Sequence, residues 1–353
     1  VTADSRAIDE TRDAAAPPDG RGIGGGARRR PWVTGGVEAQ TLLVSLALFA
    51  FFSVRFPDSF FSTGTMLNMA RVAGILLVVS IGQSFALIVG GFDISVGANM
   101  GFVSIIISLW MVGGGGITSA ILLGIAGGLV VGLVNGVLIA AFRVTPLVTT
   151  LGMATFLRGL ADQLGDGGSI VGLPRGLAVF GRANWGPLPS AAGIAVIALI
   201  VAWFLLQRTR AGLYIFSIGG NREAARVAGV RVLLHETLAY TLCGLFAGLA
   251  GVMLTARVSI GQGSLGQGFE LLSIATAVIG GVAIGGGTGR LSGVVLGVLL
   301  LTILTTGLDI AGVNAFYQQM VTGAVLIAAV IVAQAQSAPS HRLAGFLRLW
   351  RHT

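Results

Sequence analysis

The sequence predicts an all-α integral membrane protein of about ten transmembrane helices with both termini cytoplasmic. Three observations carry this. Charge is scarce: 10% of the 353 residues are charged, 54% are hydrophobic and mean hydropathy is +0.89, whereas a soluble domain carries about 25% charged residues. The apolar runs are continuous, while the strands of a β-barrel would alternate apolar and polar. Glycine reaches 56 residues, a content that membrane bundles tolerate because small residues let helix backbones approach.

Residues 1–36 are polar and hold Pro17, Pro18 and "RRR" at 28–30. They read as a disordered cytoplasmic tail, and they lack the short apolar core of a secretory signal peptide. A transmembrane domain follows over 37–334. Its apolar spans fall at about 38–55, 70–89, 95–112, 117–141, 147–161, 190–207, 237–255, 270–285, 291–308 and 317–334, judged against the ~20 residues that cross a bilayer. Residues 335–353 form a basic cytoplasmic tail. With the N-terminus inside, 16 of the 22 arginines fall on the cytoplasmic side, which sets the orientation by the positive-inside rule.

Within span four, Gly124, Gly128, Gly132 and Gly136 recur every fourth residue. They bare one helix face for close packing. Gly90, Gly91, Gly97 and Gly101 share their spacing with Gly286, Gly287, Gly293 and Gly297, a faint echo of a duplicated unit. The longest outward connection, 162–189, mixes Asp162, Asp166, Arg175, Arg182, Trp185 and three prolines. It reads either as a protein-docking surface or as an interfacial re-entrant loop.

The stretch "LIVGGFDISVGANMGF", 87–102, places a carboxylate among apolar spans. At the bilayer centre this costs about 2.5–3.5 kcal/mol. Irregular backbone at that depth survives only when buried in protein or lining a watery cavity. Asp93 therefore either caps the helix of the third span in a plain turn, or is the N-cap of a broken helix that borders a transport path, the reading favoured here. Other polar candidates for such a path are Asn68, Gln83, Ser84, Ser95, Asn99, Thr149 and Thr150, all of which could equally serve helix packing.

A second stretch, "YIFSIGGNREAARVAGVRV", 214–232, lies in the most basic cytoplasmic loop. Gly219 and Gly220 end what precedes, Asn221 is suited to an N-cap, Glu223 fits the first turn, and Gly229 stops the helix. Ala224, Ala225 and Ala228 make a small flat face, with charge from Arg222, Glu223 and Arg226. A helix of about two turns is unstable alone, so this one makes sense docked in a partner's groove.

Nothing points to an enzyme. The one cysteine, Cys243, allows neither an intrachain disulfide nor a thiolate metal site, and His235, His341 and His352 are scattered without ligand spacing. Every basic residue is arginine. A phosphate-binding loop needs a lysine, so "GGGTGR" at 285–290 is a tight turn and any ATP is bound by another chain.

These stretches resemble the membrane-spanning permease subunit of bacterial ABC importers for ribose, xylose, galactose and related monosaccharides. "GGFDISVGANM" resembles the family's GG-[IF]-D-[LI]-S-V-G signature, and "FRVTPLVTTLGMATFLRGLA" its K-x-x-x-P-F-I-x-T-L-G-T-x-x-x-x-R-G-[LI]-A segment. "RTRAGLYIFSIGGNREAARVAGVRV" is similar to its cytoplasmic loop, and "GQGFELLSIATAVIGG" to its GEGYELDAIAAVVIGG-type run. The likeness covers about 38–334. It departs at Gln267, where glutamate is usual, and at Ala98-Asn99.

The resemblance implies a multi-pass protein of the bacterial cytoplasmic (inner) membrane, in contact with lipid and not with nucleic acid. It implies pairing with a second permease copy or homologue. It also implies ATP-binding subunits that hold ATP and Mg, and a periplasmic or lipid-anchored solute-binding protein. Residues 221–229 would be the coupling helix. The solute would be a monosaccharide or similar polyol. Two other readings are a permease for branched-chain amino acids or another small solute, and an ion-coupled secondary transporter. The first would want fixed charges or helix ends in the path, the second intramembrane acid or histidine relays.

Overall fold

The computed structural model describes residues 34–337, which fold almost wholly into helix. In chain order these are α1 Thr34–Arg55, α2 Pro57–Phe60, α3 Thr63–Ile88, α4 Val96–Val112, α5 Ile117–Ala140, α6 Pro146–Leu164 and α7 Ser190–Arg208. They continue as α8 Arg210–Gly220, α9 Arg222–Val227, α10 Val232–Val258, α11 Phe269–Ile279, α12 Leu291–Ile310 and α13 Ala315–Ser337. One small hairpin, β1 Asn184–Trp185 with β2 Leu188–Pro189, interrupts them.

Each predicted apolar span overlaps one helix, but the helices are not equivalent. Six are long and apolar enough to cross a membrane, namely α1, α3, α5, α7, α10 and α12. Helices α4 and α11 are shorter, and α6 carries Arg158 and Asp162. The span expected over 270–285 is corrected: α11 ends at Ile279. Gly280 lies against Gly293 with no room for a side chain, and Gly281 takes a left-handed φ of 84°, so the helix cannot continue. Eleven residues rise only about 16 Å, half of the ~30 Å hydrocarbon core.

The domain limits also shift. Residues 34–36 open α1 and 335–337 close α13. The remainder of both expected tails, with His341 and His352, lies outside the described residues.

Helices α3 and α10 form the hub. Of their most apolar windows 83% and 72% are buried, against 17% for α1, which places α1 at the periphery. The stripe predicted on α5 packs on α10. A Cβ on Gly128 would lie 2.6 Å from both the Gly244 carbonyl oxygen and Gly248 Cα, and one on Gly136 2.7 Å from the Thr237 oxygen. Gly244 and Gly248 answer from α10, so the two backbones touch over about three turns.

The 162–189 connection is a folded cap. A 3-10 turn over Arg175–Phe180 plants buried Leu177 in a cluster with Val103, Ile107, Met111, Val252 and Ala256. Gly181 presses on Met253 and Arg257 at the end of α10. Both lie at the end of the bundle opposite α9.

Candidate functional site

Helix α9 is built as the sequence predicts at its ends. The Asn221 side chain accepts a hydrogen bond from Ala224 N at 2.9 Å, satisfying one orphan donor of the first turn. At the far end Gly229 has φ 81° and donates to the Arg226 carbonyl. Arg222 pairs with Glu236 of α10 at 2.8 Å, and the Glu223–Arg226 pair is exposed at 3.8 Å.

The predicted alanine face is divided. Ala225 is buried in the chain's own core, while Ala224 and Ala228 are exposed. The small flat face therefore does not point as one surface to a partner. Helix α9 also presents Val227, 81% exposed, a large apolar side chain that a reading confined to the alanines misses.

The preceding residues, expected within the cytoplasmic loop, form α8. Thr209 accepts from Gly212 N, and Gly212, Ile215 and Ile218 face the core every third residue. That periodicity was the available signal.

Beneath α9 three glycine turns meet backbone to backbone. Gly219 abuts the Ile88 carbonyl at the end of α3, and a Cβ there would lie 2.5 Å from Gly287 N. Gly287 N donates to that same Ile88 oxygen at 2.8 Å. Gly286, with φ 82°, packs against Gly90, with φ 103°. The first members of the two glycine sets that echo in sequence, Gly90 and Gly286, therefore touch in space. A cleft of about 520 Å³ opens beside them, lined by Gly90, Arg143, Pro146, Asn221 and Glu236 among others.

Asp93 lies just past Gly90 and is fully buried. It is not the N-cap of α4, which corrects that reading: the cap position is Ser95, and it makes no side-chain capping bond. Instead the Asp93 carboxylate accepts from Ser95 N at 2.8 Å, Ser95 Oγ at 2.5 Å and Asn135 Nδ2 at 3.3 Å. With its amide turned to satisfy both ends, Gln83 bonds the Asp93 backbone N–H and C=O at 3.0 Å each. Asp93 thus ties α3, α5 and the start of α4 together.

Of the other path candidates, Ser84 and Asn99 are buried. Ser84 bonds the Ser80 carbonyl, and the Asn99 amide reaches Gly128 and Gly244. Thr149 and Thr150 are buried on α6 without hydrogen-bond partners, and Asn68 is exposed at the opposite end, bonded to Arg257. The structure joins Gln83, Asp93 and Ser95 by hydrogen bonds, bonds neither Thr149 nor Thr150 to them, and puts Asn68 at the opposite end.

A feature missed in sequence is the non-helical segment 259–268 between α10 and α11. It runs along α4, where Gly266 meets Gly97, Gly263 meets Gly101, and Gln262 N donates to Ser104 Oγ at 3.2 Å. Glu270 closes it, accepting from Gly268 N at 3.0 Å and pairing with Arg158 of α6 at 3.2 Å. The run of glycines and polar residues in "SIGQGSLGQG" was its signal.

A family model described as branched-chain amino acid transport system / permease component matches residues 65–330. The chain is 37% identical over 282 residues to the ribose import permease protein of Bacillus subtilis (strain 168), covering 79% of this chain and 88% of that protein. It is 33% identical over 300 residues to the ribose import permease protein of Escherichia coli (strain K12), covering 84% and 93%. It is 33% identical over 319 residues to the galactose/methyl galactoside import permease protein of Salmonella typhimurium, covering 85% and 94%. No solved structure matches.

Proposed function

The chain belongs to the branched-chain amino acid transport system / permease component family, and from that premise we propose that it is the membrane-spanning permease of an ABC importer for a monosaccharide or similar polyol. The observation that carries this is the likeness, over 79–85% of the chain, to permeases of ribose and galactose import. It favours a sugar over a branched-chain amino acid within the same family.

The chain is a transport component and not an enzyme. It is a multi-pass protein of the bacterial inner membrane, with the α9 end cytoplasmic. A separate ATP-binding subunit holds ATP and Mg, and α9 seats in a groove on that subunit through Val227, Ala224 and Ala228. Two permease copies enclose the path, and a solute-binding protein delivers sugar to the opposite face. ATP binding closes the partner's halves and displaces α9. The glycine turns under α9 pass that displacement to α3, α4 and α12, because backbone contacts leave no side chain to absorb it.

The test is uptake of labelled ribose and galactose into cells carrying this chain with its partner subunits. Uptake is expected to vanish when every cognate ATP-binding subunit is deleted, and that subunit is expected to co-purify with the permease. Uptake that survives the deletion would refute the reading in favour of an ion-coupled transporter.

A further inference from the structure

Residues 259–268 carry no helix, yet they descend deep beside a membrane helix. From Ser108 to Gly97, where Gly261 and Gly266 respectively touch α4, α4 rises about 16 Å. Gly97 lies about 22 Å below the outer end of α4 at Val112. That is past the middle of a ~30 Å core. Lipid-exposed irregular backbone does not occur there; such backbone is buried in protein or borders water.

The segment is partly buried and partly open. Gly261 and Gly266 are buried against α4, while Ser264 and Gln267 are exposed. The side chains beside them on α6 are polar as well. Arg158 is half exposed and paired to Glu270, and exposed Asp162 lies beside Gly263. Helix α6 itself stops low, with Gly165 level with Ile105 of α4. Polar side chains of the segment and of α6 therefore stand together below the outer end of α4.

We propose that Ser264, Gln267 and Arg158 line a water-filled outward vestibule and are hydrogen-bonding contacts for the neutral polyhydroxylated solute. The ligand class rests on the sugar-permease reading of the preceding section; the watery vestibule does not. A glutamine amide offers donors and an acceptor, a serine hydroxyl offers both, and the guanidinium offers donors, which suits hydroxyl groups. Glu270 holds Arg158 in place and offsets its charge, so the wall does not demand an anion.

The test uses the full chain in its complex, with two readouts. Ser264→Cys and Gln267→Cys variants are treated in intact cells with a membrane-impermeant thiosulfonate. Val196→Cys and Ile200→Cys, on the exposed apolar face of α7, serve as lipid-facing references, and native Cys243 is fully buried. The variants at 264 and 267 are expected to react at least tenfold faster than the references. Separately, the Ser264→Ala/Gln267→Leu double variant is expected to lower ribose or galactose uptake at least fivefold while ATP hydrolysis continues.

Reaction no faster than at α7 overturns the vestibule. Fast reaction with unchanged uptake by the double variant overturns the solute contact. A wild-type complex with no ATP-dependent sugar uptake overturns the functional reading instead, and the labelling result still decides whether the segment meets water.

Discussion

Adding one methyl group at Gly219 tests whether the junction under α9 is as tight as its geometry requires. A Cβ there would lie 2.5 Å from Gly287 N and inside the radius of the Ile88 oxygen. Ordinary Cβ contacts begin near 3.4 Å, so the chain segments must part by at least about 1 Å. That separation would stretch the 2.8 Å bond from Gly287 N to Ile88 O beyond the ~3.2 Å usual for such bonds. Losing a buried bond costs about 1–3 kcal/mol, and forcing extra volume into a packed site about 1–3 kcal/mol. Gly219→Ala should therefore destabilise by about 2–6 kcal/mol, read as a lowered unfolding temperature in detergent. In the surviving folded fraction, ATP-driven uptake should fall more than tenfold. The neighbouring Gly220→Ala is the control, because its Cβ would meet nothing within 4 Å, and it should stay within about 1 kcal/mol of the parent. If the two variants melt and transport alike, the backbone junction is not what holds or moves this end of the bundle.

The α5–α10 seam should rank substitutions in the same way. Gly128→Ala meets backbone of Gly244 and Gly248, so it should cost about 1–3 kcal/mol; Gly127→Ala meets only the side-chain ends of Ile106 and Phe102 and should melt close to the parent. Asn221→Ala removes the cap of a six-residue helix, a loss of about 1 kcal/mol; capture of the ATP-binding subunit should weaken, and Asn221→Asp should restore it. Arg158→Glu leaves Glu270 facing a like charge and should reduce uptake, whereas the Arg158→Glu/Glu270→Arg double variant should recover at least half of it. Arg158 is half exposed while Glu270 is buried, and among the described residues the carboxylate has no other cationic partner, so a double variant that recovers none of the lost uptake would contradict this account.

Much of the chain was legible because its strongest signals are local. Continuous apolar runs locate helices whatever their neighbours, since the bilayer demands internally bonded backbone. Asn221 and Gly229 mark the ends of α9 through bonds within a few residues. The four-residue glycine period on α5 announced a bare face, although not the Gly244 and Gly248 on α10 that meet it. Readings failed where a residue's role depends on what lies opposite. Asp93 looked like a helix cap, yet its partners include Gln83 and Asn135, from helices before and after it. The alanines of α9 looked equivalent until the core claimed Ala225.

Composition and pattern by themselves determined that this is a helical membrane protein, and its ordered motifs determined its kinship. Only the tertiary structure decided that the chain unwinds at 259–268 and that the turns at Gly90, Gly219 and Gly286 converge. The reason is physical. Hydropathy and capping are written in neighbouring residues, whereas a glycine's meaning is set by the atom that occupies the space where its side chain would have been, and that atom here comes from a distant part of the chain.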